Sequence, residues 1–207
     1  MKIGVIGSGK IGATVAEKLA GAGHEVKIAN SRGPDTLTDL ASKIGATPAT
    51  AEEAARFGDV VIEAIPLKAY DTLPADALKS KILVDAANYY PSRDGQIAVL
   101  DSGELTSASL VARHVDGAKV VKAFNTIFWE HIRDRGRPGG DPERLAIPIA
   151  GDDADAKQTV ADLIDQIGFD PVDAGTLADS WRQQPGTPVY GAPGNADSIR
   201  DALGAAA

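Results

Sequence analysis

The chain has 207 residues, 43% of them hydrophobic and 24% charged, with no cysteine and a net charge of −8. That is chain enough for one large α/β domain, or one domain plus a small appendage, with a buried core. The acidic balance argues against a nucleic-acid partner, the missing thiols exclude disulfides and thiolate metal sites, and no stretch approaches the roughly 18 apolar residues of a membrane span.

The first apolar run predicts a strand over 2–6. It starts at Lys2, leaving no room for an export leader, so a cytoplasmic location is expected. Gly7, Ser8, Gly9, Lys10, Ile11 and Gly12 follow, and an amphipathic run predicts a helix over 10–22. A lone Gly-x-Gly-x-x-Gly is a weak signal. Set between a strand and a helix, ahead of a second strand at 25–30, it predicts a dinucleotide-binding βαβ unit. Gly7 permits the tight turn, Gly9 lets the backbone approach a pyrophosphate, and Gly12 lets the helix close on the strand. The free amides and positive dipole end of the helix then receive the anion.

Asn30, Ser31 and Arg32 come after the second strand, where NAD-binding chains usually carry Asp or Glu. A carboxylate would repel a 2′-phosphate, whereas Ser31 can donate to one and Arg32 can pair with it. The expectation is NADP as cofactor. The competing reading is a solvated arginine ahead of a helix opened by Gly33-Pro34.

Further on, the pattern predicts helices over 35–44, 51–57, 106–114 and 154–167, and strands over 59–64, 82–86, 118–123, 145–150 and 170–174, with a weak strand near 46–48. Val160, Leu163, Ile164 and Ile167 share one helical face, with Asp152 or Asp153 as N-cap and Gly168 as C-cap. The continuous β-branched runs read as buried parallel strands. Their alternation with helices predicts an α/β, doubly wound Rossmann-type, mostly parallel sheet. A single domain over 1–183 is expected, with an irregular C-terminal tail, 184–207, packing on it and ending in a short, fraying helix at 197–203.

Two stretches interrupt the alternation. Residues 88–106 form a long connection of the kind that often carries function. Residues 133–144 hold four arginines among glycines and prolines. They read as a mobile anion-binding flap or, preferred, as a surface loop paired with its own Asp and Glu residues.

In open α/β sheets ligands gather at the carboxyl ends of the strands. Ile65 and Pro66, then Asn88, then Asn125, Thr126 and Ile127 occupy those ends. Ile65, Pro66 and Asn88 are expected to flank a nicotinamide, and Asn125, Thr126 and Ile127 to shape an acceptor pocket. Trp129 either stacks on an acceptor ring or, preferred, packs in the core. His24, His114 and His131 are scattered, no metal-ligand spacing is present, and Asp85 at a strand end reads as a structural acceptor. Without a dedicated acid or base, a hydride still moves between two conjugated rings held face to face.

The segments Ile6-Gly7-Ser8-Gly9-Lys10-Ile11-Gly12, Asn30-Ser31-Arg32, Ala64-Ile65-Pro66, Val120-Val121-Lys122-Ala123-Phe124-Asn125-Thr126-Ile127, Pro148-Ile149-Ala150-Gly151-Asp152-Asp153 and Pro171-Val172-Asp173-Ala174-Gly175 carry a resemblance. Through them the chain resembles the coenzyme F-420-dependent NADP oxidoreductase family over most of its length. The resemblance implies reversible hydride transfer between NADP(H) and a deazaflavin. It also implies that Ser31 and Arg32 clamp the 2′-phosphate and that Asn125 borders the pocket where the rings meet. Similar domains serve ferric reductases in which a flavin takes the hydride. Two alternatives stay open: a reductase of a small imine or keto substrate using Tyr89 or Tyr90 as proton donor, and a non-catalytic NADPH-binding module. The expected partner is a small redox molecule, with neither nucleic acid nor membrane, and a homodimer is expected because a second copy can wall the groove.

Overall fold

The computed structural model describes residues 1–206. Eight strands form one sheet: β1 (Lys2–Ile6), β2 (Glu25–Ala29), β3 (Thr47–Ala49), β4 (Val60–Glu63), β5 (Ile82–Asp85), β6 (Lys119–Lys122), β7 (Ala146–Gly151) and β8 (Asp170–Asp173). The helices are α1 (Lys10–Gly21), α2 (Thr38–Ile44), α3 (Ala51–Phe57), α4 (Ala75–Leu78), α5 (Pro91–Asp94), α6 (Ala98–Asp101), α7 (Ser107–His114), α8 (Trp129–Asp134), α9 (Ala154–Gln166) and α10 (Ala196–Ala205).

The spatial order is β3-β2-β1-β4-β5-β6-β7-β8. The chain winds outward from β1 to β3, then crosses back to lay β4 on the other side of β1. The order therefore reverses between β1 and β4, where open α/β sheets leave a crevice at the strand ends. All pairs are parallel except β6 with β7. The parallel reading of 145–150 is corrected here. A continuous apolar run reports burial on both faces and carries no information about strand direction.

Alternation along the strands builds two cores. Ile3, Val5, Val60, Ile62, Val84 and Val121 face α1, α8 and α9 through Val15, Leu19, Ile132 and Val160. Ile6, Val61, Leu83 and Val120 face the opposite layer, where Ala54, Ala55, Ala108 and Val111 belong to α3 and α7. A period of two on a sheet covered on both sides dictates this division.

Local chemistry sets the helix starts. Thr50 and Glu53 form a reciprocal capping box on α3, Thr106 caps α7, and Asp153 rather than Asp152 caps α9 by accepting from Ala156. Gly168 follows the last turn of α9 with φ +97°, the left-handed conformation a terminating glycine supplies. The helix expected at 35–44 is divided into a 3-10 turn, Pro34–Leu37, and α2. The connection 88–106 contains α5 and α6.

The tail helix is anchored, not frayed. Ile199 and Leu203 of α10 and Val189 before it pack on Ala146, Ala150, Val172 and Ala174 of the last two strands and their edge. Among the described residues no helix is long and apolar enough to cross a membrane.

Candidate functional site

The chain leaves β1 through Gly7, whose φ of +118° only glycine adopts without strain. A Cβ at Gly12 would lie 1.9 Å from the Gly7 carbonyl oxygen, so the first turn of α1 sits directly on the strand end. Gly9 is the N-cap of α1, and a Cβ there would meet no atom within 4 Å. Its open side faces the crevice. The first turn of α1 holds no acidic residue, so its unpartnered amides are left available to an anion.

The end of β2 supplies the next wall. Asn30 accepts from the Arg32 amide at 2.9 Å and donates to Thr36 Oγ1 at 3.0 Å, which folds the turn over 30–36. Ser31 and Arg32 project from that turn and are exposed. Among the described residues no carboxylate lies within ion-pair distance of the Arg32 guanidinium, although the protein is acidic overall.

The crevice is a cavity of about 420 Å³ lined by residues 6–9, 30–32 and 64–66 together with Ala51, Ala69 and Thr72. Three separate strand ends, β1, β2 and β4, thus converge on one groove. Ala51, Ala69 and Thr72 escaped the sequence reading. They are small side chains at the start of α3 and on the 3-10 turn Leu67–Thr72, and nothing in their local sequence marks them.

Lys10, Ile11 and Gly12 form the first turn of the helix whose N-cap, Gly9, lines the groove; they are not themselves among its lining residues, so only their backbone amides are left to act toward it. Lys10 Nζ lies 5.0 Å from the Trp129 ring centre, and the Arg133 guanidinium lies 4.8 Å from the same ring. Trp129 is half-buried at the start of α8, so its assignment to the core is corrected: two cations claim its ring.

The expected acceptor wall differs more. Asn125 and Thr126 are buried, and Ile127 packs against the core beneath. Asn125 Nδ2 donates to Asn88 Oδ1 at 3.1 Å and to the Gln183 carbonyl at 2.7 Å, while Asn88 Nδ2 donates to the Asn125 carbonyl at 2.8 Å. The Thr126 carbonyl accepts from the Gly191 amide at 2.9 Å, and the Tyr90 and Tyr190 hydroxyls are hydrogen-bonded. The tail therefore crosses the ends of β5 and β6 and converts the expected open wall into a covered seam. Asn88, Asn125 and Thr126 belong to that seam and not to the lining of the main groove.

The tyrosines are committed. Tyr89 donates to Asp101 at 2.7 Å and accepts from the Ile97 amide at 2.9 Å, and burial together with Asp101 raises the pKa of its hydroxyl. Burial and the bond to Tyr90 push Tyr190 up to about 12. His24 bonds Gln166 at 2.7 Å and His114 bonds the Leu73 carbonyl at 3.0 Å, while His131 stands edge-on to Phe128, far in role from any acid–base pair.

Residues 133–144 take the paired-surface form. Arg133 pairs with Asp134, Arg137 with Asp141 and Glu143, and buried Arg144 with Asp165 and Asp170. The Arg137 amide donates to the Gly168 carbonyl, and the loop packs by Lys18 near the C-terminal end of α1. These pairs and the packing beside Lys18 favour the surface-loop reading, while Arg133, at the start of the stretch, shares the Trp129 ring with Lys10 at the start of α1.

One cluster went unread. Glu63, Asp85 and Lys122, at the ends of β4, β5 and β6, are 1%, 0% and 0% exposed. Burial, and then the neighbouring Asp85 carboxylate, push the Glu63 carboxyl well above the usual carboxylate range, which favours its neutral form. Asp85 as a structural acceptor is as expected; its partners lie inside strand runs, where a charged letter among apolar ones was the available signal.

Residues 2–89 match the family model for NADP oxidoreductase, coenzyme F-420-dependent. Among solved structures, the chain is 34% identical to the hypothetical protein SMa0349 from Sinorhizobium meliloti, with a TM-score of 0.80, covering 93% of this chain and 94% of that one. It is 30% identical to a protein of Arthrobacter sp. FB24 provisionally named an F-420-dependent NADP reductase, with a TM-score of 0.73 and coverages of 88% and 87%. It is also 32% identical over 179 residues to the rat metalloreductase STEAP3, covering 86% of this chain. It spans about a third of that protein's length, 34%.

Proposed function

The chain belongs to the coenzyme F-420-dependent NADP oxidoreductase family, and from that premise we propose that it moves a hydride between NADP(H) and a deazaflavin or flavin-type ring. The groove at the β1/β4 reversal carries the reading. It offers an anion-receptive helix start, an arginine with no carboxylate partner among the described residues, and an apolar wall in one cavity.

In this proposal the turn Gly7, Ser8, Gly9 and the amides of Lys10, Ile11 and Gly12 hold the diphosphate. Gly9 fits that role because its Cβ position is open, and Gly12 because any larger residue would push α1 off the strand. Ser31 and Arg32 hold the 2′-phosphate, with Asn30 fixing the turn that presents them. Ile65 and Pro66 bear on the nicotinamide, and Asn88 reaches the same end through its bonds to Asn125. Asn125, Thr126 and Ile127 shape the acceptor side from below. When bound, the nicotinamide supplies the hydride and the second ring receives it. The protein's part is to hold the two rings in contact and exclude water.

The engaged state of Tyr89 and Tyr90 supports a ring acceptor over an imine or ketone, which would need a proton donor at hand. The test is NADPH oxidation measured against deazaflavin, FMN, FAD, ferric chelates and a cyclic imine. Turnover is expected with the deazaflavin or the flavins. Turnover confined to the imine supports the small-substrate reductase, and NADPH binding without turnover supports the binding module.

A further inference from the structure

Glu63, Asp85 and Lys122 stand in one row across three strands. Glu63 is the register partner of Asp85 in the β4–β5 pair, and Asp85 is the partner of Lys122 in the β5–β6 pair. All three lie on the sheet face that carries Val61, Leu83 and Val120. Burying three ionisable groups costs stability that apolar residues of the same size would not forfeit.

What the row achieves is local. Glu63 Oε2 accepts from the Ile65 amide at 3.2 Å. Asp85 Oδ1 accepts from the Ala87 amide at 2.8 Å. Lys122 Nζ donates to Asp85 Oδ2 at 3.0 Å, to the Ala87 carbonyl, and to Ser107 Oγ at 3.4 Å. Each carboxylate thus seizes the amide two residues beyond its own strand, where the chain turns into the loops bearing Ile65-Pro66 and Asn88. Lys122 neutralises Asp85, and the proton favoured on Glu63 leaves the row without net charge. Asn88 then passes the fixed geometry on to Asn125 and the Gln183 carbonyl.

We propose that Glu63, Asp85 and Lys122 are positioning residues that fix the loops after β4 and β5 against the nicotinamide end of the groove. This rests on the cofactor reading above. No side-chain hydrogen bond runs from the row to 7–9 or 30–32 among the described residues, and the row's one approach to the helix start is through the Ala64 backbone packed beneath Gly7. On this proposal the row's main effect falls on the part of the ligand that reacts.

Two probes separate those ends: NADPH, and 2′,5′-ADP, which lacks the nicotinamide. Titration calorimetry on the wild-type protein should show binding of both. In Glu63→Ala, NADPH affinity should fall about tenfold while 2′,5′-ADP affinity stays within about twofold. Glu63→Gln keeps a carbonyl for the Ile65 amide and a donor for Asp85, and should restore NADPH affinity. Asp85→Leu combined with Lys122→Met removes the buried ion pair as a unit, a replacement that cores often tolerate, and should reproduce the selective loss. Equal loss of both probes in a folded variant, or no loss of NADPH affinity, overturns the inference. Failure of the wild-type protein to bind 2′,5′-ADP overturns the cofactor reading and the inference together.

Discussion

Arg32 is the residue on which coenzyme choice depends in the proposal. Its guanidinium is exposed and, among the described residues, has no carboxylate within ion-pair distance in a protein of net charge −8, so none of those carboxylates has to be displaced before a phosphate binds. A hydrogen bond to a charged group is worth about 1.5–3 kcal/mol, so Arg32→Ala should weaken NADPH about ten- to a hundredfold and NADH far less. Side-by-side affinities for the two coenzymes decide this, and equal losses would contradict it. Glu63 makes a second prediction. Its folded-state pKa is raised by burial and by Asp85, so between the ordinary carboxylate range and that raised value the native state holds a proton the unfolded state has lost. Stability from this group is therefore full in acid and declines as pH rises through that window. Urea midpoints taken at successive pH values should show that decline in the wild-type protein and its absence in Glu63→Gln. Glu63 and Lys122 were readable only as charged letters in apolar runs. Which face they take, and that they meet Asp85, follow from strand pairing, which one strand's sequence does not contain.

The β1–turn–α1 element was the most legible because two periods change there, from strand to helix, across glycines with separate steric duties. Gly12→Ala tests it. The added methyl would press on the Gly7 carbonyl, and overpacking of this kind costs about 1–3 kcal/mol. Both the urea midpoint and the NADPH affinity should fall, because the helix start moves with the strand end. Elements of four to six residues, such as α5, α6, α8 and the 3-10 turn Ala178–Gln183, were not legible, since a turn or so of helix is too short to display a period. The direction of β7 was hidden for another reason: burial on both faces looks alike in parallel and antiparallel strands. Asn125 was found as a residue near the site, but its partners in Asn88 and Gln183 are 37 and 58 positions away and leave no local trace.

At the scale of the molecule, the groove and the seam depend on different parts of the chain. The groove is lined from residues 6 to 72, while the seam is closed by the tail. Removing residues 185–207 should therefore split the two. The loss of buried Val189, Ile199 and Leu203 forfeits about 1.5–3 kcal/mol for each side chain, so the thermal midpoint should drop. Affinity for 2′,5′-ADP should persist in whatever fraction remains folded, while hydride transfer should fail; loss of 2′,5′-ADP binding by folded material would refute the division. The same separation has a consequence for biosynthesis. On a ribosome adding about 5–20 residues per second, the groove lining emerges roughly ten seconds before the strap that seals the other end. The groove-lining segments of a nascent polypeptide are thus made well ahead of the segment that covers the ends of β5 and β6, and the covered seam can form only when synthesis is nearly complete.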